Sequence, residues 1–146
     1  MGTLAGKKWL PRDVAALLYE HGWTGFDNQV DFVATVGGES AYYEEAEGDP
    51  HPDGTIDLGL FQLNSLHAPG WGMSFEEFKA MAFDPHKAVV YARKLWDAAA
   101  HQGDPFKPWY AYSNDSYKRY MRQAIVGCAN AKAIREGLQP AVRWGK

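Results

Sequence analysis

The stretch from Asp53 to Ser65 reads D-G-T-I-D-L-G-L-F-Q-L-N-S, and the reading of the whole chain starts there. Asp53-Gly54 is a hairpin-type turn dipeptide. The run before it, Glu47 to Thr55 (EGDPHPDGT), is turn chemistry throughout. Only very short strands fit on either side. Gln62 and Asn64 then stand among apolar neighbours. An amide buried in such a run needs hydrogen-bond partners or faces a polar ligand. Asp57 is the second carboxylate of the segment, four residues after Asp53.

Moving towards the N-terminus, Phe26, Val30, Val33, Ala34 and Gly37 recur at a 3.6-residue spacing, with Asp27, Asn28 and Asp31 opposite. This predicts a helix over about Asp27 to Gly37. Glu39 follows Gly37-Gly38 at the end of that apolar stripe. The two glycines let the backbone approach another element closely. A carboxyl with an apolar helix behind it and a turn-rich lobe ahead is raised in pKa by desolvation, as a general acid near neutral pH requires. The plain alternative is a solvated Glu at a helix end. An earlier helix is expected from Pro11 to His21, with proline at its first position and Gly22 closing it.

Towards the C-terminus, Ser74 and Glu77 form a capping-box pair opening a short helix to about Met81. Asp84-Pro85 starts another, with Ala88, Ala92, Leu95 and Ala99 as its apolar stripe and Trp96 in the core. Gly103 to Pro108 reads as a loop. A last long helix is expected from Asn114 or Asp115, with Tyr117, Met121, Ala124 and Cys128 aligned. The fold class is therefore α+β, mostly helical, with a small β-hairpin lobe. The whole chain, 1–146, is expected to form a single domain, because 146 residues supply one core.

The composition narrows the function. Net charge is −3 and no Lys/Arg block stands out, so nucleic acid is not expected as a partner. The longest uncharged stretch, Leu58 to Phe75, contains Gln62, Asn64, Ser65, His67 and Pro69, so no membrane insertion is expected. The N-terminus has two lysines without an apolar run behind them, so no signal peptide is expected. The single cysteine, Cys128, forms no intrachain disulfide and lies on an apolar face, as a buried structural thiol does. The five histidines lack the i, i+3 or i, i+4 partners of a helical zinc site, so neither metal nor cofactor is expected. His51, between Asp49 and Asp53, reads as part of a polar surface turn, with contact to a cation as the competing role. What remains is Glu39 and Asp57, eighteen residues apart. Two carboxylates across a cleft are the minimum equipment for glycoside cleavage.

The motifs at these positions carry a resemblance. Asp53 to Ser65 is similar to the D-G-S-T-D-Y-G-I-L-Q-I-N-S stretch of chicken-type lysozymes. Glu39-Ser40 and Gly59-Leu60-Phe61-Gln62 resemble the E-S and G-L-M-Q motifs of goose-type lysozymes and soluble lytic transglycosylases. Ala111-Tyr112-Ser113 resembles their A-Y-N motif, with Ser113 in place of the Asn. Phe106 to Tyr120 is similar to lysozyme-like domains of phages that infect actinobacteria. The resemblance spans about residues 30 to 120 and implies a lysozyme-like fold with a substrate cleft.

It also implies roles. Glu39 is the general acid, and Asp57 matches the second carboxylate of the chicken-type enzymes, which the goose-type enzymes lack there. Ser40, Gln62 and Tyr112 match residues that orient the acid or bind substrate. Asn64, Trp71 and Trp109 are further candidates for the sugar, with packing the competing role for both tryptophans. The implied activity is cleavage of the β-1,4 bond between N-acetylmuramic acid and N-acetylglucosamine. Hydrolysis and 1,6-anhydro-forming transglycosylation both stay open, as does a non-catalytic wall-glycan-binding module on the same scaffold. Asp57 is a nucleophile or charge stabiliser in the first case and dispensable in the second. It could also do no more than fix the Asp53-Gly54 turn. The implied partner is the peptidoglycan glycan strand. The implied setting is a phage endolysin or virion-associated lysin, held in the host cytoplasm before release, monomeric or part of a longer multidomain lysin.

Overall fold

The computed structural model describes residues 2–138. Its first helix, α1, spans Pro11–Glu20 and has proline in the first turn, as expected. Val14, Ala15, Leu17 and Leu18 are its buried face. Gly22, at φ +104, turns the chain out of the helix.

Helix α2 spans Phe26–Ser40, three residues past the expected end. The glycine pair does not break it, because both glycines are crossing points. A Cβ on Gly37 would meet the Tyr120 ring at 2.5 Å, and one on Gly38 would meet the Ala111 Cβ at 2.9 Å. Tertiary contact therefore outweighs the roughly 1 kcal/mol helix penalty of each glycine. The helix stops at Ala41 and Tyr42, both left-handed at φ 52 and φ 70. Phe26, expected on the buried stripe, starts the helix and stays exposed.

The β lobe is as small as its turn signals suggest. Strands β1 (Asp57–Leu58) and β2 (Leu63–Asn64) pair antiparallel with Asp57 opposite Asn64. Their turn is Gly59–Gln62, where Gly59 has φ +83 and Gln62 φ +49. Asp53-Gly54 does form a tight turn, with the Gly54 N–H donating to the His51 carbonyl. It closes the loop ahead of β1 instead of joining the strands. Single bridges tie the N-terminal segment to this region at Thr3–Glu47 and Lys8–Tyr43.

Two 3-10 turns, Ser65–His67 and Pro69–Trp71, lead to α3 (Phe75–Ala82), which opens with the expected Ser74–Glu77 capping box. Helix α4 runs Pro85–His101 behind an Asp84 cap, burying Ala88, Ala92, Trp96 and Ala99. A single-turn helix α5 (Tyr110–Ser113) follows the loop. The last helix, α6, spans Met121–Arg135 and begins later than expected. Asp115 sits at φ 65, and Ser116–Tyr120 form a 3-10 turn instead. That turn carries Tyr120 across Gly37.

The core is unusually aromatic. Phe32 is its centre, with the Trp109 ring at 4.6 Å, Trp23 at 5.0 Å, Trp96 at 5.3 Å and Phe61 at 6.1 Å. The high tryptophan content is thus largely used in packing, since Trp9, Trp23, Trp96 and Trp109 are all buried. Cys128 is fully buried on α6, and burial pushes its thiol up to about 12, so it is no nucleophile at neutral pH. Among the described residues, no helix is long and apolar enough to cross a membrane.

Candidate active site

Glu39 occupies the last turn of α2, where the helix brings it beneath the start of α5. The Ala111 N–H donates to Glu39 Oε2 at 2.8 Å. This amide belongs to the first turn of α5, where backbone donors have no intrahelical partner. Burial raises the Glu39 carboxyl to about 7, the Ala111 bond pulls in the opposite direction, and the negative charge of Asp57 adds to the rise. Desolvation wins because one hydrogen bond to an amide compensates only part of the lost hydration.

Asp57 reaches the same pocket from β1. Asn64 Nδ2, its partner across the two strands, donates to Asp57 Oδ1 at 2.9 Å. His51 Nε2 lies 2.9 Å from Oδ2. Both carboxylate oxygens are therefore held. Asn64 is fixed in turn, since its Oδ1 accepts the Leu66 N–H at 2.8 Å.

The pocket between these groups has a volume of about 140 Å³. Glu39, Asp57, Gln62, Asn64 and Trp109 all line it, so the structure brings together five of the residues singled out in the sequence. Trp109 does so from the core: it is 2% exposed, and its indole N–H donates to the Phe61 carbonyl at 3.0 Å. Gln62 contributes to the wall while its Nε2 donates to the Ala46 and Gly59 carbonyls.

Three candidates lie elsewhere. Ser40 is buried, its hydroxyl donating to the Val36 carbonyl and accepting the Tyr42 N–H, so it closes α2 and does not face the pocket. Tyr112 is sandwiched between Phe106 at 3.9 Å and Tyr117 at 4.6 Å, outside the pocket lining. Trp71 is set back from the pocket, stacked on His67 at 4.8 Å and packed against Tyr91 and Phe78.

The sequence reading missed five lining residues: Leu63, His67, Leu95, Pro108 and Tyr110. Burial lowers the pKa of His67, which favours its neutral form, and the ring stacks on Trp71. Tyr110 is 72% exposed at the rim. Nothing in a four-residue helix has enough periodicity to separate Tyr110 from Tyr112. The turn that ends at Pro108, directly ahead of α5, was the one available signal.

A helical body, a hairpin of two-residue strands and a half-buried Glu sharing a pocket with that hairpin from the end of a helix are the features of a lysozyme-like fold. A crystal structure of a lysozyme from Litopenaeus vannamei is similar, with a TM-score of 0.63 and 18% identity over 84% of this chain and 98% of that chain. At that identity the likeness is one of fold. No family model matches the sequence, and no curated protein matches it.

Proposed function

We propose that this protein is a glycosidase of peptidoglycan, cleaving the β-1,4 bond between N-acetylmuramic acid and N-acetylglucosamine, with the cleft between α2, α5 and the hairpin as its substrate site. One observation carries the reading. Glu39 keeps its proton to about pH 7, with Oε2 pinned by a backbone amide, in a pocket shared with a second, hydrogen-bonded carboxylate.

In this reading Glu39 Oε1 delivers the proton to the glycosidic oxygen as the C1–O bond breaks. Positive charge develops at C1, and the Asp57 carboxylate stabilises it or bonds to it. A water then adds at C1, displacing Asp57 as the free carboxylate where it has bonded there, and gives its proton to Glu39, completing hydrolysis with retention. Asp57 in the pocket favours hydrolysis over transglycosylation, in which the muramic acid 6-hydroxyl would close on C1 without help from Asp57. The likeness of Phe106 to Tyr120 to phage lysozyme-like domains supports a phage lysin acting on the host wall, with the whole chain as its catalytic domain.

The test is Glu39→Gln assayed on purified walls. Gln preserves size and the acceptor for the Ala111 N–H but has no proton to deliver. Loss on the order of 10²-fold or more is expected with the fold intact. A folded variant of near wild-type activity would sink the assignment. Mass spectrometry of the products separates reducing ends from 1,6-anhydro ends. Wall binding without any cleavage by the wild type would point to the glycan-binding module instead.

A further inference from the structure

We infer that His51 is a positioning residue acting through Asp57: it holds one carboxylate oxygen and, by its own charge, sets how much of the Asp57 negative charge reaches the pocket. The inference rests on the glycosidase reading and adds a control to it. His51 is not part of the pocket lining. It stands behind Asp57, with Nε2 2.9 Å from Oδ2, while Asn64 holds Oδ1 at the same distance. One oxygen is thus held by an amide whose charge never changes, the other by a ring whose charge changes near neutrality.

The imidazole is delivered by a closed turn. The His51 N–H donates to the Thr55 carbonyl at 2.8 Å, and the Gly54 N–H donates to the His51 carbonyl at 2.8 Å. Asp53 Oδ1 locks the far side by accepting from the Thr55 N–H at 2.9 Å and its hydroxyl at 2.6 Å. The His51 side chain is 45% exposed, so solvent protons reach it freely. The charged groups acting on it are Asp57 from β1 and Asp53 from its own loop. Asp49 lies on the same loop, and Glu39 of α2 interacts with Asp57 in turn. The hydrogen bond to Asp57 raises the His51 pKa above its ordinary value.

The consequence is a conflict of charges. As an imidazolium, His51 neutralises the anion that must stabilise positive charge at C1. As a neutral ring with its hydrogen on Nε2, it holds the same geometry without cancelling the charge. Activity therefore rises as His51 loses its proton and falls as Glu39 loses its own, giving a narrow bell. The acid limb of that bell belongs to His51, not to a carboxylate.

The experiment has two arms: the pH dependence of wall cleavage by the wild type and His51→Gln, and the NMR titration of the His51 ring in the wild type and Asp57→Asn. Gln keeps an amide donor towards Asp57 without a titratable charge. Its acid limb should move down by about one pH unit or more, the usual scale for an opposite charge at contact distance. The ring should titrate along the wild-type acid limb, and its midpoint should drop towards that of an ordinary imidazole in Asp57→Asn. Superposed acid limbs for the wild type and His51→Gln, or an unmoved midpoint in Asp57→Asn, overturn the inference alone. A wild type that cleaves no wall at any pH overturns the glycosidase reading and takes the inference with it.

Discussion

Two tyrosines two positions apart have opposite environments. Tyr110 is 72% exposed at the rim of the pocket and, among the described residues, stacks on no other ring. Tyr112 is the middle ring of a three-ring stack. Tyr110→Ala should therefore raise the substrate concentration needed for half-maximal cleavage, by about tenfold if a sugar face stacks there at about 1.4 kcal/mol, and leave the melting temperature unchanged. Tyr112→Ala should do the reverse, costing about 2–3 kcal/mol of stability through lost ring packing. Thermal melts paired with cleavage kinetics separate the two, and an exchange of phenotypes would refute the placement.

At the scale of elements, two contacts hold the hairpin and its neighbours in register. Gly59 sits at φ +83 with its α-carbon facing the Ala82 carbonyl at the end of α3, and a Cβ there would overlap that oxygen. Gly59→Ala combines a disfavoured backbone conformation with a backbone clash. It should cost about 3 kcal/mol or more, and it should lower activity by shifting β1, which carries Asp57. Ser74→Ala removes one half of the α3 capping box and should cost about 1 kcal/mol, measured by chemical denaturation, with cleavage unaffected. A loss of activity in Ser74→Ala at full stability would mean that α3 takes part in the site.

For the whole molecule, the raised Glu39 carboxyl works against stability. Unfolded, it titrates near its ordinary 4.5; folded, near 7. The folded state therefore binds the extra proton between these values, and stability falls as pH rises through that window. At pH 8 the penalty is about 3 kcal/mol, and below pH 4 it is absent. Glu39→Gln should accordingly melt higher than the wild type at pH 8 and nearly level with it at pH 4. An equal difference at both pH values would show that Glu39 is not desolvated.

What the sequence determined by itself was whatever local chemistry controls. The capping box at Ser74, the proline start of α1, the apolar stripes of α2 and α4 and the inward Cys128 depend on residues within one or two turns of each other. The motif from Asp53 to Ser65 was likewise local, which is why Asp57, Gln62 and Asn64 were legible as a group. Tertiary structure decided what depends on crossings. Gly37-Gly38 read as an approach point, but only Tyr120 and Ala111, over seventy residues away, show why α2 runs on through them and carries Glu39. The same crossing replaces the expected start of α6 with a 3-10 turn. The Ala111 amide on Glu39, the His51 ring on Asp57, the inward turn of Ser40 and the Tyr110–Tyr112 division all follow from packing between distant segments. A carboxyl's type and spacing are written in the chain; its desolvation, and hence its proton at neutral pH, belongs to the folded molecule.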